Sequence, residues 1–290
     1  MPVKFDITYT IKDLQNKGII QLNEQDILMM KGTTEGLVYT LCEKGEPKYV
    51  VKLDHQEQIS HVEQFLTTYD EIRLLPKLLY TDPNKEFIVY SFIAGTTHFN
   101  RGSKVKWMST LVKDLFNKYQ HCDQAADWGR LGIPRQSWHE FNKISVDAAF
   151  KNIGDLLPID DYYIVKALIE RNGKDEHKQL KYLLHGDTGV HNFVFSNEEL
   201  TGVIDPSPMI GPIIYDFTYA FCSSPDDLNI ETLRTSYSGL NNVEIDEARL
   251  IEEVVVQLYT RIGICAKVHP QDLDDYLKAW DYWKAMLKLI

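Results

Sequence analysis

The chain has 290 residues, 44% of them hydrophobic, so it is long enough for one large domain or two lobes and too apolar for a disordered protein. Its formal net charge of −11 argues against nucleic acid or an anionic membrane as a partner, because both attract cationic surfaces, and it is compatible with a cationic small molecule. The cysteines form no C-x-x-C pair, and neither a signal peptide nor an apolar run of about 18 residues is evident, so we expect a cytoplasmic protein with reduced thiols.

The first 95 residues predict a small β-rich unit. Hydrophobic patterning indicates a short helix at 11–17, strands at 27–30, 37–42 and 48–53, a helix at 57–72, and strands at 78–81 and 86–92. The loop between the first two strands contains Gly32, Thr33 and Thr34. Such a loop can cover phosphates, because glycine lets backbone N–H groups come close and threonine hydroxyls donate; an ordinary hairpin loop is the alternative.

Lys52 lies on an otherwise apolar strand of this unit. It is either an edge-strand charge or a phosphate ligand that pairs with a glutamate of the following helix, for which Glu63 is our candidate and Glu57 and Glu71 are competitors. The last strand leads into a predicted hinge. There the exposed backbone of Ser91 and Ile93 can bond the edge of an adenine.

Residues 96–290 predict a larger, mostly helical unit. Helical periodicity covers 105–120, 138–153, 159–172, a segment that starts at 215, 245–266 and 271–289, whereas 123–134 and 209–212 look irregular. A strand, a polar loop and a second strand interrupt these helices at 183–205. We therefore predict an α+β fold with two domains, 1–95 and 96–290.

The polar loop and its surroundings contain the chemistry. Asp187 is followed five residues later by Asn192, and Asp205 ends the next strand, which is the kinase-type spacing H-x-D-x-x-x-x-N with a later aspartate. Asp187 would accept the proton of an attacking hydroxyl. Asn192 and Asp205 would hold Mg²⁺ against the phosphates of ATP, because Mg²⁺ prefers hard oxygen ligands. The alternative is a plain hairpin whose polar residues only form the turn.

The segments His185-Gly-Asp-Thr-Gly-Val-His-Asn192, Val203-Ile-Asp205 and Tyr215-Asp-Phe217 resemble the aminoglycoside phosphotransferase and choline kinase-like family. This resemblance implies a protein-kinase-like bilobal fold over nearly the whole chain. It implies Asp187 as catalytic base, Asn192 and Asp205 on Mg²⁺, and Lys52 on the ATP phosphates. It also implies structural roles for His185 and Asp216.

The resemblance points to an ATP- and Mg²⁺-dependent kinase that phosphorylates a hydroxyl of an aminoglycoside-like antibiotic or a small polar metabolite. Gly186 in place of the protein-kinase arginine, and the absence of D-F-G and A-P-E segments, disfavour a protein kinase. A nucleotide-binding module without transfer activity is the alternative. His191 is left without a role.

The acceptor site is open at the level of sequence. Acidic and aromatic residues of the C-terminal helix, among them Tyr276, Trp280 and Trp283, would suit an amine-bearing sugar or a quaternary ammonium, but at helical spacing they are also typical of a packed core. Trp128 and Trp138, on either side of Gly129-Arg-Leu-Gly132, either line an acceptor cleft or simply pack.

Overall fold

A computed structural model describes residues 6–21, 26–30, 37–122, 124–174, 179–241 and 243–290. The chain divides into two compact units, Met1–Ala94 and Gly95–Ile290. The first is built on a small antiparallel sheet and the second is mainly helical, which confirms the predicted α+β fold class.

In its described residues the N-terminal unit contains two helices and five strands: α1 (Ile7–Asn16), β1 (Asp26–Met30), β2 (Leu37–Glu43), β3 (Glu46–Leu53), α2 (Gln56–Thr68), β4 (Leu78–Thr81) and β5 (Phe87–Ser91). The strands pair in the order β1-β2-β3-β5-β4, and every neighbouring pair is antiparallel. The carboxylate of Asp6 caps α1 by accepting from the backbone N–H groups of Thr8 and Tyr9.

The core on one face of this sheet forms where α1 packs against the strands. Ile11 and Leu14 of α1 join Leu41, Val51 and Val89 in one buried cluster. Because successive strand residues point to opposite faces, Lys52 lies on the face opposite to this cluster.

The C-terminal unit contains the remaining elements: β6 (Thr96–Thr97), α3 (Lys104–Asp114), β7 (Gly129–Arg130), α4 (Trp138–Ile153), α5 (Ile159–Gly173), β8 (Tyr182–Leu184), β9 (Phe193–Ser196), β10 (Glu199–Val203), β11 (Met209–Gly211), α6 (Ile213–Cys222), α7 (Ile230–Tyr237), α8 (Glu247–Val268) and α9 (Leu273–Leu287). Two small antiparallel sheets, β10-β9-β6 and β7-β11-β8, lie among these helices. Two strands of the second sheet, β7 and β11, lie in segments that the sequence had indicated as irregular, whereas β8 lies in the predicted strand.

Side-chain caps set the first residue of four helices in the described part of the C-terminal unit. The helices α3, α4, α7 and α8 begin after Ser103, Ser137, Asn229 and Asp246, whose side-chain oxygens each accept from a backbone N–H in the first turn. The end of α3 differs from the prediction, since the helix stops at Asp114 and a 3₁₀ turn follows at Phe116–Lys118. This turn leads to Tyr119, whose hydroxyl bonds Asp216, so a tertiary contact replaces further helix.

The C-terminal helix α9 is anchored by buried aromatic residues. Tyr276, Trp280 and Trp283 are all fully buried. The indole N–H of Trp280 donates to Asp161 at 2.7 Å, and that of Trp283 donates to the Leu228 carbonyl at 3.0 Å. These residues therefore form core. No helix in the described part of the chain is long and apolar enough to cross a bilayer.

Candidate active site

The predicted catalytic loop follows β8. His185, Gly186 and Asp187 leave the strand, and a 3₁₀ turn at Val190–Asn192 leads into β9. The Asn192 side-chain amide donates to the Asp187 carbonyl at 2.9 Å and to the Asp187 carboxylate at 3.1 Å. Since both partners are acceptors, the nitrogen of Asn192 must face Asp187, and its Oδ1 is left to meet a cation.

The segment after β10 lies against this loop. The Ile204 N–H donates to the Asn192 carbonyl at 2.9 Å, and the Ser207 N–H donates to the His185 carbonyl at 2.9 Å. These bonds bring Asp205, between the two donors, to the catalytic loop. Asp205 has a φ of +57°, a conformation that is uncommon for a residue other than glycine.

His185 braces the loop from inside the unit. Its ring is fully buried, with Nε2 3.2 Å from the Ile204 carbonyl and Nδ1 3.3 Å from the Asp187 backbone nitrogen. Because the carbonyl can only accept and the backbone N–H can only donate, the proton resides on Nε2. Burial lowers the pKa of His185 to about 4, so the ring is neutral at neutral pH.

Asp216 in α6 supports the same loop. Its carboxylate accepts from the Tyr119 hydroxyl at 2.6 Å and from the Gly186 N–H at 3.2 Å, and its carbonyl accepts from the Thr188 hydroxyl at 2.8 Å. Burial raises the pKa of Asp216 to about 6, although the hydrogen bonds from Tyr119 and Gly186 oppose the rise. These contacts are those expected of a bracing residue.

Arg130 connects the catalytic loop after β8 to the segment after β10. Its Nη2 donates to the Gly186 carbonyl at 3.1 Å, and its Nη1 donates to the Ser207 carbonyl at 3.0 Å and hydroxyl at 2.6 Å. Sequence reasoning did not assign this residue a role. The only signal was its position between Trp128 and Trp138, where a cleft or plain packing had been left open.

The carboxylate of Asp187 is partly exposed and stays ionised. Burial by itself raises its pKa, but the hydrogen bond and charge of His191 and the charge of Arg130 outweigh burial and hold the pKa below its usual range. His191 Nε2 lies 3.4 Å from the carboxylate, which gives this previously unassigned histidine a contact with the predicted base. An ionised, partly exposed carboxylate can accept the hydrogen of an incoming hydroxyl.

The donor set fits Mg²⁺. In the part of the chain that the structure describes, no three His, Cys, Asp or Glu side chains converge on a metal site. The two predicted protein ligands are an amide oxygen and a carboxylate, and phosphates and water complete the shell in sites of this kind. Asn192 Oδ1 and Asp205 would hold the ion, which would neutralise charge on the phosphates.

The N-terminal unit contains the predicted nucleotide contacts. Lys52 is buried in β3, and the Asp54 carboxylate lies 3.8 Å from its amine. Glu63, the predicted partner of Lys52, instead pairs with Lys85 at 2.5 Å. Asp54 follows Lys52 by two residues in sequence, whereas Glu63 lies in α2, within reach of the turn that precedes β5.

The other predicted contacts of this unit are only partly described. Gly32, Thr33 and Thr34 lie outside the described residues. The Ser91 N–H is engaged, since it donates to the Lys77 carbonyl at 2.9 Å. Within the described residues the Ile93 N–H makes no hydrogen bond.

Comparisons with known proteins give the fold its name. No protein-family model and no curated protein matches the chain. Solved structures do match: a thermostable mutant of aminoglycoside phosphotransferase APH(4)-Ia is 14% identical, with 95% of this chain and 97% of that one covered and a TM-score of 0.63. A ternary complex of such a mutant with ADP and hygromycin B is 15% identical, with 96% and 97% covered and a TM-score of 0.60.

ADP-bound aminoglycoside phosphotransferase APH(2'')-Ib is 16% identical, with 98% of this chain and 99% of that one covered and a TM-score of 0.58. Identities this low establish the fold and not the activity. With coverage of nearly the full length in all three, the chain has the protein-kinase-like fold of the aminoglycoside phosphotransferases.

Proposed function

We propose that the protein is a small-molecule kinase that transfers the γ-phosphate of ATP to a hydroxyl group in the presence of Mg²⁺. The observation that carries this proposal is the contact between Asn192 and Asp187, which fixes the amide nitrogen on the base and leaves the amide oxygen for the cation. The complexes of structural neighbours with ADP support a nucleotide as the donor.

Each site residue then has a defined task. Asp187 accepts the hydrogen of the attacking hydroxyl and orients its oxygen. A carboxylate with a lowered pKa is a weak base, which suffices because phosphoryl transfer depends mainly on positioning and charge stabilisation. Lys52 contacts the ATP phosphates, and the hinge backbone at Ser91 and Ile93 contacts the adenine. Gly32, Thr33 and Thr34 cover the phosphates.

The first test replaces the base. We expect Asp187→Asn to lower turnover at least a hundredfold, since a positioned base contributes about 10²–10⁴ in rate. Nucleotide affinity should change little. ADP release on a panel of hydroxyl compounds measures turnover, and a fluorescent nucleotide measures affinity. Asp155→Asn, at an exposed 3₁₀ turn, is the matched control. A loss of less than about tenfold would remove Asp187 from the base role.

The same assay separates a kinase from a module that only binds nucleotide. A kinase should show slow, Mg²⁺-dependent ATP hydrolysis without an acceptor, and Asp187→Asn should suppress it. A nucleotide-binding module would bind the fluorescent nucleotide and release no ADP in either form. Nucleotide binding without any turnover would therefore refute the enzymatic proposal.

A further inference from the structure

The C-terminal unit contains a cavity of about 260 Å³ bounded by α4, α6 and α8. Its wall includes Arg130, Asn142, Ser145, Tyr215, Tyr219 and Gln257. The volume lies just below the roughly 300–1,000 Å³ of pockets that hold drug-sized ligands. It therefore suits a compound about as large as a single sugar.

Arg130 links this cavity to the loop that contains the predicted base. Arg130 contributes to its wall and donates to the carbonyl of Gly186, the residue before Asp187. Tyr219 also lines the cavity, and its pKa is raised by burial and, to a lesser degree, by the charge of Asp187. A molecule in this cavity would have the Asp187 loop as its neighbour.

Arg130 gives the wall of the cavity a positive charge. None of the described residues that line the cavity is Asp or Glu, and Arg130 is the single charged residue among them. Among the described residues, no carboxylate lies within ion-pair distance of the guanidinium, whose three hydrogen bonds all go to neutral oxygens. Within the described residues, two of its five N–H groups make no hydrogen bond, and carboxylates match the fork of a guanidinium well.

We propose that this cavity is the acceptor site and that the acceptor is a small hydroxyl compound carrying a carboxylate, which pairs with Arg130. This proposal rests on the proposed kinase function. Neutral polar groups of Asn142, Ser145 and Gln257 would bind the remaining hydroxyls of the acceptor. The volume of the cavity and the positive charge of Arg130 both disfavour a polycation of aminoglycoside size.

The transfer step balances with the groups named. The acceptor hydroxyl oxygen forms a bond to the γ-phosphorus, and the bond from that phosphorus to the β-phosphate oxygen breaks. The electron pair of the broken bond leaves with ADP. The hydroxyl proton passes to the Asp187 carboxylate and then to solvent.

The test uses three sugars that share one ring and differ in charge: D-glucuronate, D-glucose and D-glucosamine. Binding to the full-length protein without nucleotide is followed by tryptophan fluorescence, since the Trp138 ring stacks on Phe141 and meets Tyr215, both of which line the cavity. We expect glucuronate to bind at least tenfold more tightly than glucosamine. Hygromycin B should not compete with glucuronate.

A charge change in the wall gives the decisive comparison. Asn142→Asp should weaken glucuronate binding at least tenfold and should not weaken glucosamine. Ser145→Asp, on the same helix, is the second variant if the first fails to fold. Asn197→Asp, at the exposed turn between β9 and β10, makes the same chemical change outside the cavity. It should alter neither glucuronate binding nor glucosamine binding.

Three outcomes overturn the proposal: glucosamine or hygromycin B binding as tightly as glucuronate, glucuronate binding that survives both aspartate variants, or no binding of glucuronate. The proposed function fails separately. Selective glucuronate binding in a protein that never releases ADP would refute the kinase and retain the charge preference of the cavity. Phosphorylation of hygromycin B would retain the kinase function and refute the charge preference of the cavity.

Discussion

Gly186 shows how little space surrounds the catalytic loop. Its φ is +78°, and a Cβ there would lie 2.2 Å from the Ser207 carbonyl oxygen. Any side chain would push the loop away from the segment that contains Asp205. Because Asp187 is the next residue, the predicted base would move with it.

We therefore expect Gly186→Ala to lower turnover at least tenfold and to destabilise the protein by about 1–3 kcal/mol, through backbone strain and the clash. Gly154→Ala is the matched control, because Gly154 also has a positive φ but an added Cβ there meets no atom within 4 Å. The control should lose some stability and keep its turnover. Equal turnover in the two variants, measured by ADP release, would show that the close contact at Gly186 is unimportant.

Asp205 supplies the second expectation for a single residue. As the proposed carboxylate ligand of Mg²⁺ it would contribute charge that an amide lacks, so Asp205→Asn should raise the Mg²⁺ concentration for half-maximal turnover at least tenfold. A Mg²⁺ titration at saturating ATP measures this. Asp226→Asn, a half-exposed carboxylate paired with Arg101, is the control. An unchanged Mg²⁺ requirement would assign Asp205 a different role.

Packing between α4 and α8 decides whether the cavity wall keeps its shape. Gly263 of α8 faces Ala149 of α4, and a Cβ on Gly263 would lie 2.6 Å from the Ala149 Cα. That atom belongs to a helix backbone, so it cannot move aside as a flexible side chain would. The two helices would have to separate.

Alanine at position 263 should gain about 1 kcal/mol from helix propensity but lose more from overpacking, which costs about 1–3 kcal/mol. We expect a net loss of stability in urea unfolding. Gly239→Ala is the control, since its Cβ would meet only Val112 at 3.4 Å. A Gly263→Ala variant that is more stable than the parent would show that α4 and α8 adjust easily.

The unfolding of the whole molecule should depend on pH through Lys104. Its amine is buried and donates to the carbonyls of Phe221 and Ser224, and burial lowers its pKa from 10.5 to about 7. Asp226, Asp227 and Cys222 favour the charged amine, and Arg101 opposes it. Above pH 7 the unfolded chain therefore binds a proton that the folded chain has released.

Stability should consequently rise with pH between pH 7 and 8.5, with up to about 1.4 kcal/mol per pH unit from Lys104. The window ends where the Cys222 thiol, whose pKa burial raises to about 12, begins to ionise in the unfolded chain and acts in the opposite direction. Lys104→Met should reduce the slope of the unfolding free energy against pH, measured by urea unfolding. Lys106→Met, at an exposed position of α3, should leave that slope unchanged. Equal slopes for the parent and both variants would contradict the lowered pKa of Lys104.

The sequence predicted much of this molecule because its signals were local. The fold class, the main helices and the spacing of Asp187, Asn192 and Asp205 all follow from periodicity or from a short motif. Residues 129–130 and 209–211 carried no such signal, since strands this short form only when distant segments meet. The role of Arg130 depends on that sheet and was missed for the same reason.

The partner of Glu63 could not be predicted on similar grounds. By sequence spacing, Glu57, Glu63 and Glu71 could all reach Lys52. The choice among them depends on how α2 packs against the sheet. The structure gives Glu63 to Lys85. The acceptor site was equally undetermined, because the aromatic stripe of α9 fits a core and a pocket alike until burial is known.

Arg130 joins the two segments of the candidate active site, the one that contains Asp187 and the one that contains Asp205. The same guanidinium holds the backbone beside Asp187 and the backbone beside Asp205, so a disturbance at either place is transmitted to the other. Substitutions at Arg130 and Ser207 should therefore combine non-additively, with a coupling free energy of about 0.5–3 kcal/mol in a double-mutant cycle. A substitution that impairs proton acceptance at Asp187 should therefore also impair cation binding at Asp205.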